Sequence, residues 1–173
     1  MAGIKKNTSV NNVNEVKEAK GLKTLGGKTR YQFAKPDVSI LEAFPNSYPE
    51  SNYVITFEHP EFTSLCPKTG QPDFGTIVIR YVPDKLCVES KSFKLYMASY
   101  RNEGSFMESL TNKISADLVS LLKPRRMTVE GFFNVRGGTA ISVRVEYINN
   151  ALPAEEKNML QGLWMPANVF LKK

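Results

Sequence analysis

Residues 53–57 (Tyr-Val-Ile-Thr-Phe) and 76–82 (Thr-Ile-Val-Ile-Arg-Tyr-Val) are dominated by β-branched and aromatic side chains, which suit a pleated, half-buried surface and predict two strands. The period then changes. Phe93, Tyr96, Met97 and Tyr100 recur at i, i+3, i+4 and i+7, so residues 88–100 predict a helix with one apolar face. Leu110, Ile114, Leu118 and Leu121 keep helical spacing behind Ser105-Phe-Met-Glu108, which has the form of a capping box. A second helix is therefore expected from about Phe106 to Leu122. Pro124 ends it. Residues 127–135 read as a third strand and Gly137-Gly138 as a tight turn. Ile141, Val143, Val145 and Tyr147 then alternate with Ser142, Arg144 and Glu146 as a half-buried fourth strand.

The order strand, strand, helix, helix, strand, strand predicts an α+β unit, an antiparallel sheet covered on one face by two helices. Its open edges invite self-association. Between the first two strands a long loop is expected over 63–73, constrained by two prolines and a glycine. Residues 1–30 lack apolar periodicity and are read as a flexible arm, 31–149 as the catalytic domain, and 150–173 as a tail. In that tail 153–161 suggests a short helix, and Trp164, Phe170 and Leu171 suggest docking.

Composition bounds the rest. At 173 residues, 42% hydrophobic and 23% charged, the chain has the size and make-up of one globular domain with tails. No stretch reaches the roughly 18 apolar residues of a membrane helix, and the N-terminus has no apolar signal region, so a cytoplasmic protein is expected. Cys66, Cys87 and the single His59 form no zinc-like spacing, and no metal is expected. Much of the net charge of +6 lies in the arm, which permits nucleic-acid binding without requiring it.

Candidate chemistry concentrates in two places. On the first predicted helix Lys91 and Lys94 are neighbours three residues apart, and like charges there repel unless an anion sits between them. In the 63–73 loop, Cys66 precedes a proline, with Lys68 and Asp73 close behind. A thiolate needs such positive potential, and Asp73 is placed to give a proton to whatever the thiolate attacks. On position alone, a buried structural cysteine is the more common outcome for Cys66, and Cys87 is read that way. Glu108 is explained by the capping box, although a carboxylate there could also accept paired hydrogen bonds from a guanine-like N–H edge. His59 is read as a surface residue rather than a general base, and Phe132-Phe133 as core rather than a stacking platform.

The stretch 89–96, Glu-Ser-Lys-Ser-Phe-Lys-Leu-Tyr, resembles the signature of the NADPH-dependent 7-cyano-7-deazaguanine reductases, the QueF family. Residues 62–74, Tyr100-Arg-Asn102 and Arg136-Gly-Gly138 resemble the same family in the same order, and the likeness covers about residues 40–147. It implies the tunnelling fold, with a ββααββ order, and subunits in rings, for this short class homodecamers of stacked pentamers with active sites between subunits. It also implies a reaction, reduction of the nitrile of 7-cyano-7-deazaguanine by NADPH to the aminomethyl precursor of the tRNA nucleoside queuosine. By position, Cys66 would form a covalent thioimide and Asp73 would protonate the nitrile nitrogen. Val88, Glu89, Ser90, Met107 and Glu108 would line the deazaguanine site, with Glu108 on its donor edge. Lys91 and Lys94 would face the NADPH phosphates.

One position departs from the family. Where its reductases carry His-Glu at the start of the second helix, this chain has Met107-Glu108, and a thioether neither gives nor takes a proton. Two other functions stay open at this point. An amidinotransferase would form the same thioimide on tRNA and add ammonia without NADPH; the intact 89–96 signature argues against it, and the basic arm and Met107 argue for it. A non-catalytic ring binding a purine or pterin is opposed by Cys66 and Asp73.

Overall fold

A computed structural model describes residues 20–26, 31 and 35–163. Its four-stranded antiparallel sheet contains β2 (Ile55–Leu65), β3 (Pro72–Val82), β5 (Arg126–Arg136) and β6 (Thr139–Ile148) in the order β2-β3-β5-β6. Two short strands, β1 (Ala43–Pro45) and β4 (Leu86–Val88), pair in a second sheet. Helices α1 (Ser90–Ser99) and α2 (Met107–Leu122) follow β4, and α3 (Ala154–Gly162) follows β6. This is the expected α+β order with the helices on one sheet face.

The predicted helical stripes are the buried ones. Phe93, Tyr96, Met97, Leu110, Ile114 and Leu118 meet Ile77, Ile79, Tyr81, Met127, Val129 and Phe133 from the sheet. At the end of α2 it is Leu122 that is buried in place of the expected Leu121, which is only half-buried. Each fully buried large apolar side chain contributes roughly 1.5–3 kcal/mol relative to exposure. A buried polar link ties the two helices. Tyr96 Oη donates to Asp117 Oδ2 at 2.7 Å and shares a second 2.7 Å bond with Tyr100 Oη, while Lys113 pairs with the same Asp117 oxygen at 2.9 Å. Burial raises the pKa of both tyrosines, so they stay neutral donors.

Glycine sets how closely α2 approaches the sheet. A Cβ on Gly131 would lie 2.7 Å from the Phe133 ring and 3.0 Å from Thr111 Oγ1, and one on Gly75 would lie 2.6 Å from the Phe132 carbonyl oxygen. Both sites need the missing side chain, and the first brings the N-terminal turns of α2 onto β5.

Several expectations change. The expected long loop over 63–73 shrinks to a turn at 66–71, because β2 continues to Leu65 and β3 begins at Pro72. A register shift between His59 and Phe62, spanning Pro60, breaks the strand pattern where it was expected to end. Strands β1 and β4, three residues each, are too short to show a period. Within the expected arm, the backbone amides of Lys23 and Thr24 and the Thr24 hydroxyl all donate to Glu42 Oε2 at 2.9–3.2 Å. The predicted tail helix is α3, held where Arg125 pairs with Glu156 and Arg126 donates to the Leu160 carbonyl at 3.0 Å. Trp164, Phe170 and Leu171 lie outside the described residues.

Candidate active site

Cys66 sits on the turn that joins β2 to β3. Its N–H donates to the Gln71 carbonyl at 2.8 Å, its carbonyl accepts from Gly70 N–H at 2.9 Å, and Gly70 takes φ 68°, the left-handed conformation that glycine adopts without strain. The turn is held to the chain entering α2. Leu65 N–H donates to the Glu103 carbonyl at 2.9 Å and Ser105 N–H to the Leu65 carbonyl at 3.1 Å. These two bonds bring the cysteine turn beside the start of α2. The result is a cleft of about 210 Å³ lined by Cys66, Asp73, Met107, Glu108 and Arg136 among others.

The sulfur is partly exposed, not buried as the position-only reading has it. The Thr69 hydroxyl, the Arg136 guanidinium and the backbone amides of Lys68 and Thr69 hydrogen-bond it, in that order of effect, and bring the thiol pKa down to about 6. Thr69 Oγ1 accepts from Gln71 N–H at 3.3 Å, which leaves its one hydrogen for the sulfur. Lys68 thus acts through its amide rather than through the ammonium expected from its spacing. The cation at the site is Arg136, part of the family-like Arg136-Gly-Gly138 segment, for which the sequence predicted no role at the cysteine. Its guanidinium also pairs with the buried Asp73, and contact with the sulfur and then with Asp73 raises its own pKa further.

Glu108 is released from the role its spacing suggests. The N-cap of α2 is Phe106 with no side-chain cap bond, and Ser105 Oγ turns to the Phe106 carbonyl at 3.4 Å, so the capping box does not form. The carboxylate stands exposed in the Cys66 cleft beside half-buried Met107. Glu89 does the opposite. It caps α1, its two oxygens accepting from Lys91 N–H at 2.8 Å and Ser92 N–H at 2.7 Å, with the Ser90 and Thr24 hydroxyls at 3.5 and 3.3 Å.

Val88, Glu89 and Ser90 line a different cavity, of about 440 Å³ and largely apolar, walled also by Phe44, Leu22 and Leu25. Among the described residues it shares no lining residue with the Cys66 cleft. Lys94 is exposed and pairs with no carboxylate among the described residues, and Lys91 is partly exposed. Because Glu89 already occupies the first amides of α1, an anion bound here would be met by these ammonium groups rather than by the helix N-terminus. A polyanionic cofactor fits that arrangement. His59 is half-buried, edge-on to Phe62, outside the cleft, and burial lowers its pKa. Cys87 is buried, and Phe133 is core. Among the described residues no cluster of metal-binding side chains occurs.

Comparison with known proteins places this arrangement in context. Residues 72–151 match the family model described as QueF-like protein. The chain is 50% identical over 145 residues to the NADPH-dependent 7-cyano-7-deazaguanine reductase of Desulfovibrio desulfuricans, covering 83% of this chain and 87% of that one. It is 54% identical over 140 residues to the enzyme of the same name from Helicobacter pylori (80% and 94% covered), and 55% identical over 131 residues to that of Streptococcus mutans (75% and 80%). The crystal structure of an archaeosine synthase QueF-Like in the apo form aligns with a TM-score of 0.52 at 19% identity, over 60% of this chain and 99% of that one, a likeness of fold.

Proposed function

Because the chain belongs to the family of NADPH-dependent 7-cyano-7-deazaguanine reductases, we propose that Cys66 is the nucleophile of its nitrile reduction and Asp73 the proton donor. The protein is an NADPH-dependent nitrile reductase acting on 7-cyano-7-deazaguanine. The observation that carries the residue assignment is the Cys66 sulfur with a pKa of about 6, open to a cleft that also holds Asp73. A thiolate at neutral pH adds to the electrophilic nitrile carbon, and a proton delivered to the nitrogen makes the product a neutral thioimide.

Glu108, free of any capping duty, faces the cleft as a double acceptor for the N–H edge of the deazaguanine. Val88 and Ser90 wall the base, and Glu89 holds that wall in place by capping α1. Lys91 and Lys94 supply the charge for the cofactor phosphates. When bound, NADPH supplies hydride for both reductions that separate a nitrile from a primary amine. Met107 takes no part in proton movement, so in this chain that work falls to Asp73 and Glu108.

The cavity walled by Val88 and Ser90 and the cleft of Cys66 are separate within one chain, and β2 and β6 are edges of the sheet. Both facts support a ring in which one subunit's cavity faces the next subunit's cleft, a homodecamer in the family's short class. No helix among the described residues is long and apolar enough to cross a membrane. Cys66 and Cys87 are free thiols, which suits the reducing cytoplasm. Mixing the protein with 7-cyano-7-deazaguanine and NADPH tests the whole reading. Nitrile-dependent NADPH oxidation in wild type and its loss, with loss of thioimide absorbance, in Cys66→Ala are expected. Thioimide without NADPH oxidation would point instead to an amidine-forming enzyme.

A further inference from the structure

We infer that residues 20–26 are a strap that completes the base site, with Leu22 and Leu25 as its outer apolar wall and Glu42 as the positioning residue that holds them there. The inference rests on the cavity walled by Val88 and Ser90 being the base site, and it gives part of that site to a segment whose sequence reads only as arm.

The strap is held at one atom. Lys23 N–H, Thr24 N–H and the Thr24 hydroxyl all donate to Glu42 Oε2, at 3.0, 3.2 and 2.9 Å. Two of these donors are backbone amides, so the latch fixes the path of the chain and leaves the neighbouring side chains to face the cavity. Glu42 is in turn tied to the base wall through its backbone. Its N–H donates to Ser92 Oγ at 2.9 Å, its carbonyl accepts from Glu89 N–H at 2.8 Å, and the next residue, Ala43, pairs with Val88 across β1 and β4. The Thr24 hydroxyl also lies 3.3 Å from Glu89 Oε2, so the strap touches the cap of α1 as well. The same few residues therefore set both walls of the cavity in register.

Leu22 and Leu25 line the cavity together with Phe44, Val88 and Ser90. They are presented from a short turn between Gly21 and Gly26. Leu22 is half-buried, and Leu25 stands 50% exposed. A leucine half in water beside an apolar cavity is buried further when a flat aromatic base enters, so base and strap stabilise one another. Truncating the Glu42 side chain releases the strap but leaves the backbone ties of Glu42 to Glu89 and Ser92 in place. The consequence falls on the outer wall, not on α1 with its Lys91 and Lys94.

Calorimetric titration of 7-cyano-7-deazaguanine into the full chain carrying Cys66→Ala, which prevents the covalent step, tests this. Relative to that parent, Leu22→Ser combined with Leu25→Ser should weaken nitrile binding at least about tenfold, as the loss of two apolar contacts implies. Glu42→Ala should weaken it comparably. Glu42→Gln should weaken it less, because its amide oxygen still accepts from the same three donors. Affinity for NADPH, titrated separately, should stay within about twofold in every variant, since the lysines on α1 are untouched. Equal weakening of both ligands would mark a merely structural strap and overturn the proposal. Unchanged nitrile affinity in the double leucine variant overturns it too, and that variant decides alone should Glu42→Ala fail to fold. If the Cys66→Ala parent binds no nitrile, the base-site reading falls and the proposal with it. If the parent binds and the leucine variant binds equally well, the strap alone falls.

Discussion

Arg136 and Asp73, 63 residues apart in the chain, form an ion pair across the ends of β5 and β3, and both line the cleft that holds Cys66. The hairpin turn, two strands and the start of α2 thereby converge on one reactive atom. The partly exposed sulfur is held as a thiolate by local donors rather than by burial.

Thioimide formation should follow the ionisation of that sulfur. With the Cys66 pKa lowered to about 6, the thiolate is the minor form below that pH and the major form above it. The rate of adduct formation at fixed nitrile concentration should fall about tenfold per unit well below pH 6 and level off above pH 7. A stopped-flow profile with its midpoint near the ordinary cysteine value of about 8.5 would contradict this.

Glu108→Gln should separate binding from folding. The change replaces one acceptor with a donor facing the N–H edge of the base, and a lost charged hydrogen bond is worth about 1.5–3 kcal/mol. The expected fall in kcat/KM is therefore tenfold to a few hundredfold. Because Glu108 closes no capping box, the melting temperature should change little, the helix-dipole contribution being at most about 1 kcal/mol. A large loss of stability with normal kinetics would return Glu108 to a structural role.

Met107→His should raise turnover, by placing an imidazole, which the family resemblance implies at this position, where this cleft has a thioether. Steady-state NADPH oxidation decides it. An unchanged or lower rate would mean that Asp73 and Glu108 already meet the need for proton transfer.

Two changes remote from the cleft test the packing that positions α2. Tyr96→Phe removes the hydroxyl bonded to Tyr100 and Asp117, and chemical denaturation should register a loss of about 1–2 kcal/mol. Gly131→Ala forces a Cβ against Phe133 and Thr111, at about 1–3 kcal/mol, and displaces the turn of α2 that carries Glu108. A neutral Gly131→Ala would show that α2 can stand off the sheet at no cost.

Long periodic elements could be read from the chain because one face of each is buried. The stripe Phe93, Tyr96, Met97, Tyr100 carries that signal plainly, and the alternation Val143, Val145, Tyr147 carries it at half burial, whereas Ile141 at the start of the same strand stays exposed. Strands β1 and β4 are too short to carry it, and the shift across Pro60 interrupts it in β2. At the site, the family resemblance pointed to Cys66 and Asp73, but spacing misassigned the capping. Ser105-x-x-Glu108 matches a capping box, whereas the cap that forms is Glu89 on α1. The importance of Arg136 was hidden for a different reason. Its contacts with Asp73 and Cys66 depend on β5 lying beside β3, a pairing that no local pattern encodes.

The most direct test of the central claim is a single-turnover measurement by intact mass. Wild-type protein given 7-cyano-7-deazaguanine alone should gain the mass of the nitrile on a peptide containing Cys66. On addition of NADPH it should lose that mass, with two NADPH oxidised for each aminomethyl product released. Persistence of the adduct in the presence of NADPH, or the same adduct in Cys66→Ala, would contradict the assignment of this chain as a reductase working through Cys66.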